Sequence, residues 1–164
     1  MKLPKHTEIH HLTSPLGGMV LAASADKLVG VWFDGQAHLP DVQGFPLAPT
    51  HPVLLRAAEQ LLQYFDGQRL EFDLPLDLST GTAFQQAVWR ALQDIARGQT
   101  CSYQDISRQI GHPKAMRAVG GAVGRNPLSI VVPCHRVLGE GGALTGYAGG
   151  LARKTALLQL EGAL

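Results

Sequence analysis

Short runs of apolar and β-branched residues occupy positions 7–13, 19–24 and 28–33. They are bounded by Ser14-Pro15-Leu16-Gly17-Gly18 and by Ala25-Asp26-Lys27. Such runs between turn-forming clusters predict a meander of antiparallel strands. From Asp34 to Pro52 the chain is rich in Gly and Pro and predicts a loop. Between Val53 and Phe65 the apolar positions Leu54, Leu55, Ala58, Leu61, Leu62 and Phe65 recur at helical spacing, and Gly67 follows. Leu70–Leu76 reads as a further strand. Together these elements predict a small α/β lobe.

After a boundary stretch at Leu76–Thr82, a second helical stripe runs through Phe84, Ala87, Val88, Ala91, Leu92 and Ile95, with Gly98 as its expected C-cap. Ser102-Tyr103-Gln104-Asp105 approximates a capping box. It predicts a helix from Tyr103 to Ile110 that stops at Gly111. Pro113 suits the first position of a second helix through Lys114, Ala115, Met116, Arg117, Ala118 and Val119. Helix, short Gly-containing turn and helix form the pattern of a helix-turn-helix. The small residues Ala115, Ala118, Gly120, Gly121 and Ala122 permit close approach of a ligand or partner. Ile130-Val131-Val132 reads as a short buried strand ended by Pro133, which offers no amide hydrogen. A glycine-rich region follows, and a last helix is predicted over Leu151–Glu161.

Composition adds bounds. The 164 residues are 45% hydrophobic and 16% charged, enough for one domain or two small lobes. No run of eighteen apolar residues suggests a membrane span. The amino terminus lacks a secretory signal, and the two cysteines, Cys101 and Cys134, predict free thiols in the cytoplasm. The net charge of +1 hides an asymmetry. Residues 1–96 hold six basic and ten acidic side chains, whereas 97–154 hold eight basic and only Asp105 and Glu140. A basic half hints at a polyanionic partner, although an ordinary solvated surface has the same signature.

The chemistry concentrates in Pro133-Cys134-His135-Arg136. A thiol beside an imidazole and a guanidinium is the setting in which a thiolate is favoured. The alternative is a small buried hydrophobe at a strand end. Neighbours in extended chain point to opposite sides, so Cys134 and His135 are expected to communicate through water rather than directly. Asp105, Glu140 and Glu161 all remain open as the carboxylate that orients His135. Cys101 lacks such neighbours and reads as structural. Tyr103 reads equally as a core residue or as a phenol offered to a ligand, and Arg117 as a solvated charge. His6, His10 and His11 fit a solvated strand edge better than a metal site.

The order of motifs is specific. Phe84-Gln85-Gln86-Ala87-Val88-Trp89, Ser102-Tyr103, Arg117-Ala118-Val119-Gly120, Asn126-Pro127, Pro133-Cys134-His135-Arg136 and Gly146-Tyr147-Ala148-Gly149-Gly150 together resemble the O6-alkylguanine-DNA alkyltransferases, most nearly the bacterial stand-alone type. The resemblance implies an amino-terminal ribonuclease H-like α/β lobe over residues 1–76. It implies a carboxy-terminal helix-turn-helix (winged-helix-like) lobe over residues 77–164 that holds the active-site cysteine. In that family Cys134 takes the alkyl group, and a chain through water to His135 and on to Glu161 assists thiolate formation. Asn126 braces the turn. Arg117 enters the duplex from the helix that also carries Ala115, Met116, Gly120 and Gly121. Tyr103 turns a phosphate and donates to the base. Backbone groups of Cys134, Val137 and Ala148, with the Tyr147 ring, hold the flipped guanine. Ala96, Met116, Thr155 and Ala156 depart from common family residues. The zinc-binding cysteines of mammalian members are absent.

The implied reaction is a single, irreversible transfer from O6-alkylguanine in duplex DNA, with O4-alkylthymine as a further candidate substrate. It uses no metal and no cofactor, and a monomer suffices. The alkylated atom lies inside the base stack, so the base must leave the helix before it can react. Lesions share no flanking sequence, so contacts should fall mainly on the backbone and respond to salt. Two other readings stand beside it: a non-catalytic alkyltransferase-like lesion-binding protein, against which Cys134 argues, and a Cys–His hydrolase.

Overall fold

The structure is a computed structural model that describes residues 1–164. Three antiparallel strands come first: β1 (Thr7–Ser14), β2 (Gly17–Ser24) and β3 (Lys27–Phe33), in the order β1-β2-β3. Their alternation is functional in packing terms. Met19, Leu21 and Ala23 of β2 join the main core, while Val20 and Ala22 join a smaller cluster with Ile9, Val29 and Trp32. Successive side chains of a strand point to opposite faces, so β2 is covered on both. Helix α1 (Pro52–Phe65) lies against this sheet, and it starts as a proline at a first helical turn should. The His51 Nδ1 accepts from the Val53 N–H at 3.2 Å as its cap.

The expected strand over Leu70–Leu76 does not form; only Leu76 makes an isolated bridge, to Leu28. The Gln60 side chain takes both backbone groups of Asp73, at 2.9 and 3.0 Å, and Pro75 has no N–H to give. What this segment does is close the free edge of β3, where the Leu28 N–H donates to the Pro75 carbonyl at 2.7 Å. Farther along the same edge, the Val31 N–H donates to the Pro127 carbonyl at 2.8 Å and the Ser129 N–H to the Val31 carbonyl at 2.9 Å. The edge of the first lobe is therefore finished by chain from the second.

The second lobe contains α2 (Ala83–Leu92), β4 (Cys101–Ser102), α3 (Tyr103–Gln109), α4 (Met116–Gly124), β5 (Val137–Leu138) and α5 (Leu151–Leu160). Helix α2 ends at Leu92 with Gln93 as its cap, earlier than the apolar stripe suggests and well before Gly98. The N–H groups of Gln93, Asp94 and Ile95 bond three residues back, a tightened last turn, and the Ile95 carbonyl is taken by the Arg136 guanidinium at 2.6 Å. Helix α3 has the predicted capping box between Ser102 and Asp105 and stops before Gly111, whose φ is +78°. Helix α4 starts at Met116 rather than Pro113, because the Pro113 carbonyl accepts from Gln104 Nε2 and residues 112–115 form a turn. The buried Ser107 hydroxyl donates to the His112 carbonyl and closes that turn. The helix-turn-helix pattern stands, with its second helix shifted.

Ile130–Val132 are buried as expected, yet they form no strand. The Asn126 side chain takes the groups a ladder would use: its Nδ2 donates to the Val132 carbonyl at 2.8 Å, and its Oδ1 accepts from the Leu128 N–H at 3.0 Å. No helix of the chain is long and apolar enough to cross a membrane. Replacing Asn126 by Ala leaves these buried backbone groups without partners, so a loss of about 2–4 kcal/mol in urea unfolding is expected.

Candidate active site

Cys134 is delivered by two consecutive three-residue turns. The Val131 N–H bonds the Ser129 carbonyl at 2.8 Å across Ile130, whose φ is +71°. The Cys134 N–H then bonds the Val132 carbonyl at 2.8 Å across Pro133, at φ −81° and ψ 64°. The second is the common hand of γ-turn; the first is the rare hand, costly for a β-branched residue. Cys134–Arg136 continue as a short 3₁₀ turn rather than extended chain. Cys134 is buried, and its thiol meets the Asn126 side chain and the positive field of Lys154. Burial outweighs these and pushes the thiol above its ordinary range. The flanking cations expected to lower it do not prevail, since Arg136 is bound elsewhere.

That binding is to Glu161. Its Oε1 accepts from His135 Nε2 at 2.8 Å, from an Arg136 terminal nitrogen at 2.8 Å and from Tyr64 Oη at 2.7 Å; its Oε2 accepts from Arg136 Nε at 2.9 Å. Burial alone would raise the Glu161 carboxyl, but these donors hold it well below the usual carboxylate range. Glu161 is thus the orienting carboxylate, and Asp105 and Glu140 are not; Asp105 instead caps α3. Since an ionised carboxylate only accepts, His135 Nε2 carries the hydrogen. Burial keeps the imidazole below its ordinary value and therefore neutral. Its Nδ1 is buried without a hydrogen-bond partner, so it presents a lone pair free to take a proton.

A cavity of about 200 Å³ opens over Cys134, below the roughly 300–1,000 Å³ of drug-sized sites. Tyr103, Tyr147, Gly120 and Ala148 stand in its walls. The Tyr103 hydroxyl donates to the Thr145 carbonyl at 3.3 Å, and burial keeps the phenol protonated. The Tyr147 Oη is covered and unpartnered, and burial likewise raises it. The Ala148 carbonyl accepts from the Ala37 N–H at 2.9 Å, and the Val137 carbonyl from Lys154 Nζ at 2.6 Å. Tyr103 and Gly120 also line an open groove between α3 and α4 with Met116, Arg117 and Glu140, so that groove leads to the thiol. Arg117 is exposed and makes no salt bridge, while Gly121 of the same helix and Ala115, its N-cap, are half-buried. Cys101 sits on β4, its thiol pushed up to about 11 by burial and by Asp105. No group of three His, Cys, Asp or Glu side chains stands close enough to hold a metal.

Two contributors escaped the sequence reading. Lys154 is fully buried and donates to the Val137, Thr145 and Gly146 carbonyls, pinning the glycine-rich loop. Its place on the apolar stripe of α5, three residues from both Leu151 and Leu157, was the signal. Tyr64 carried none, because it continues the α1 stripe like any core aromatic.

The family model described as the 6-O-methylguanine DNA methyltransferase DNA binding domain matches residues 83–163, and that of the ribonuclease-like domain of the same enzyme matches residues 9–78. The chain belongs to the 6-O-methylguanine DNA methyltransferase family. The methylated-DNA–protein-cysteine methyltransferase of Mycolicibacterium paratuberculosis is 49% identical over 94% of this chain and 92% of its own. The inducible enzyme of that name from Bacillus subtilis is 44% identical over 92% of this chain and 83% of its own. Among solved structures, Mycobacterium tuberculosis OGT in complex with DNA superposes with a TM-score of 0.88 at 45% identity, covering 95% of this chain and 93% of that one.

In this family member the Glu161 cluster carries a pH signature. Both His135 and Glu161 have folded pKa values below their unfolded ones, so the unfolded state binds more protons in acid. Stability is therefore expected to fall as pH drops below about 6.5, the unfolded histidine value, and further through the carboxylate range. Glu161→Gln should cost about 3–5 kcal/mol by leaving the buried Arg136 uncompensated. It should also flatten the acid side of the unfolding-midpoint profile.

Proposed function

We propose that Cys134 is the residue at which this DNA-repair methyltransferase accepts an alkyl group from O6-alkylguanine in duplex DNA. The observation that carries the reading is the unpartnered Nδ1 of a neutral His135 next in sequence to a buried Cys134, which lines a cavity that shares Tyr103 and Gly120 with the groove between the helices of the helix-turn-helix. The flipped base enters past Tyr103, held by the backbone of Cys134, Val137 and Ala148 and by the Tyr147 ring. The thiol proton passes through water to Nδ1, and Glu161 stabilises the imidazolium that results. Sγ displaces guanine from the alkyl carbon: an S–C bond forms and the C–O6 bond breaks. Tyr103 donates to the departing guanine, so that the thiol proton ends, in net, on the base. The product thioether offers water no carbonyl, which makes the event single, and nothing in the step calls for a cofactor.

DNA is the partner of the helix-turn-helix. Arg117 replaces the extruded base in the stack, while Ala115, Met116, Gly120 and Gly121 let α4 approach the backbone closely. The two free cysteines fit a reducing compartment such as the cytoplasm, and the chemistry needs only a monomer. O4-alkylthymine enters the same cavity less readily, because a pyrimidine reaches less of its walls.

Incubation with duplex DNA bearing methyl-labelled O6-methylguanine should place one label per chain on the peptide containing Cys134. Cys134→Ser should abolish transfer and leave DNA binding intact; label on another peptide sinks the reading, and lesion binding without transfer by the unmodified protein favours the lesion-binding alternative. Arg117→Ala should slow repair of duplex DNA roughly ten- to hundredfold, the share of a few kcal/mol of unstacking that the side chain offsets. Transfer from the free alkylated base should barely change.

A further inference from the structure

Two residues of the amino-terminal lobe, Ala37 and His38, stand in the wall of the Cys134 cavity. Neither belongs to the helix-turn-helix lobe that otherwise builds the site. Both are exposed, but the chain that leads to His38 is anchored. The buried Gln36 Oε1 accepts from the Phe33 N–H at 2.8 Å and from Ser129 Oγ at 3.3 Å, and the Ala37 N–H bonds the Ala148 carbonyl at 2.9 Å. His38 itself has a φ of +63°, a conformation in which histidine is enriched over bulkier residues. Its side chain is exposed and makes no hydrogen bond within the chain, so the direction of the ring follows from the backbone at this residue.

His38 also lines a second cavity of about 230 Å³, with Met1, Thr80, Gln85, Trp89 and Arg125. The two cavities share His38 and no other residue. The second is no smaller than the first, and the Thr80 hydroxyl is buried without a partner. We infer that His38 is a specificity-determining residue: its imidazole is the partition that limits the O6 substituent, and the space behind it is the volume a larger substituent would use.

The inference rests on Cys134 being the acceptor and deepens that reading. A methyl group needs none of the second cavity, so the partition is neutral toward it. An arylmethyl substituent on O6 extends past the first cavity and meets the ring.

The test is the ratio of transfer rates from one duplex carrying either O6-benzylguanine or O6-methylguanine. His38→Gly removes the partition and suits the positive φ; His38→Asn shortens the side chain and tolerates the same conformation, which keeps the test alive should the glycine variant fold poorly. The benzyl-to-methyl ratio should rise about tenfold or more in the first and severalfold in the second, with methyl transfer and lesion-DNA affinity within about twofold of the unmodified protein. A ratio that stays constant or falls in both variants overturns the inference. Methyl label missing from Cys134 in the unmodified protein instead overturns the acceptor assignment, and the two failures are read on separate measurements.

Discussion

A buried carboxylate cannot stay ionised without several donors around it, and Glu161 draws them from two separate elements. Tyr64 comes from α1 of the first lobe, His135 and Arg136 from the turn after Pro133, and Glu161 itself caps α5. Arg97 stacks over the Tyr64 ring, 5.2 Å from its centre, and donates to the Leu160 carbonyl at 3.1 Å. Removing any donor would strand charge in the core, so the cluster constrains how the two lobes meet. It also fixes the His135 tautomer. The same negative charge that demands donors leaves Nδ1 as the free lone pair.

A second constraint acts on the thiol. Pro127 and Ser129 complete the edge of β3, the Asn126 side chain holds Leu128 and Val132, and together they leave only a strained double turn to bring the chain to Cys134. Strain of this kind persists only where surrounding contacts over-determine it. The thiol so held is buried and protonated, a poor nucleophile at rest. Reactivity then depends on a base being in place, rather than on a standing thiolate. This suits the single transfer proposed for Cys134.

The chain's own order of residues announced a good part of this. The periodicity of α1, the capping box at Ser102 that starts α3, and the meander of β1–β3 depend on near neighbours in sequence, and they formed where the pattern put them. Pro133-Cys134-His135-Arg136 pointed at the chemistry because reactive side chains on adjacent residues are costly to hold without a use. The misplaced elements share one cause. At Asp73, Ile95, Pro113 and Ile130–Val132, a side chain distant in sequence or a local side-chain turn took backbone groups that regular structure would otherwise have used.

Sequence by itself determined the lobes, the helix-turn-helix and the reactive stretch, since propensity, capping and hydrophobic period are local quantities. Tertiary structure alone decided which of Asp105, Glu140 and Glu161 serves His135, that Tyr64 and Lys154 belong to the site, and that His38 of the other lobe walls it. It also reversed the expected direction of the Cys134 shift, because desolvation depends on everything packed around a group and the nearest cation had already been claimed by a carboxylate 25 residues away.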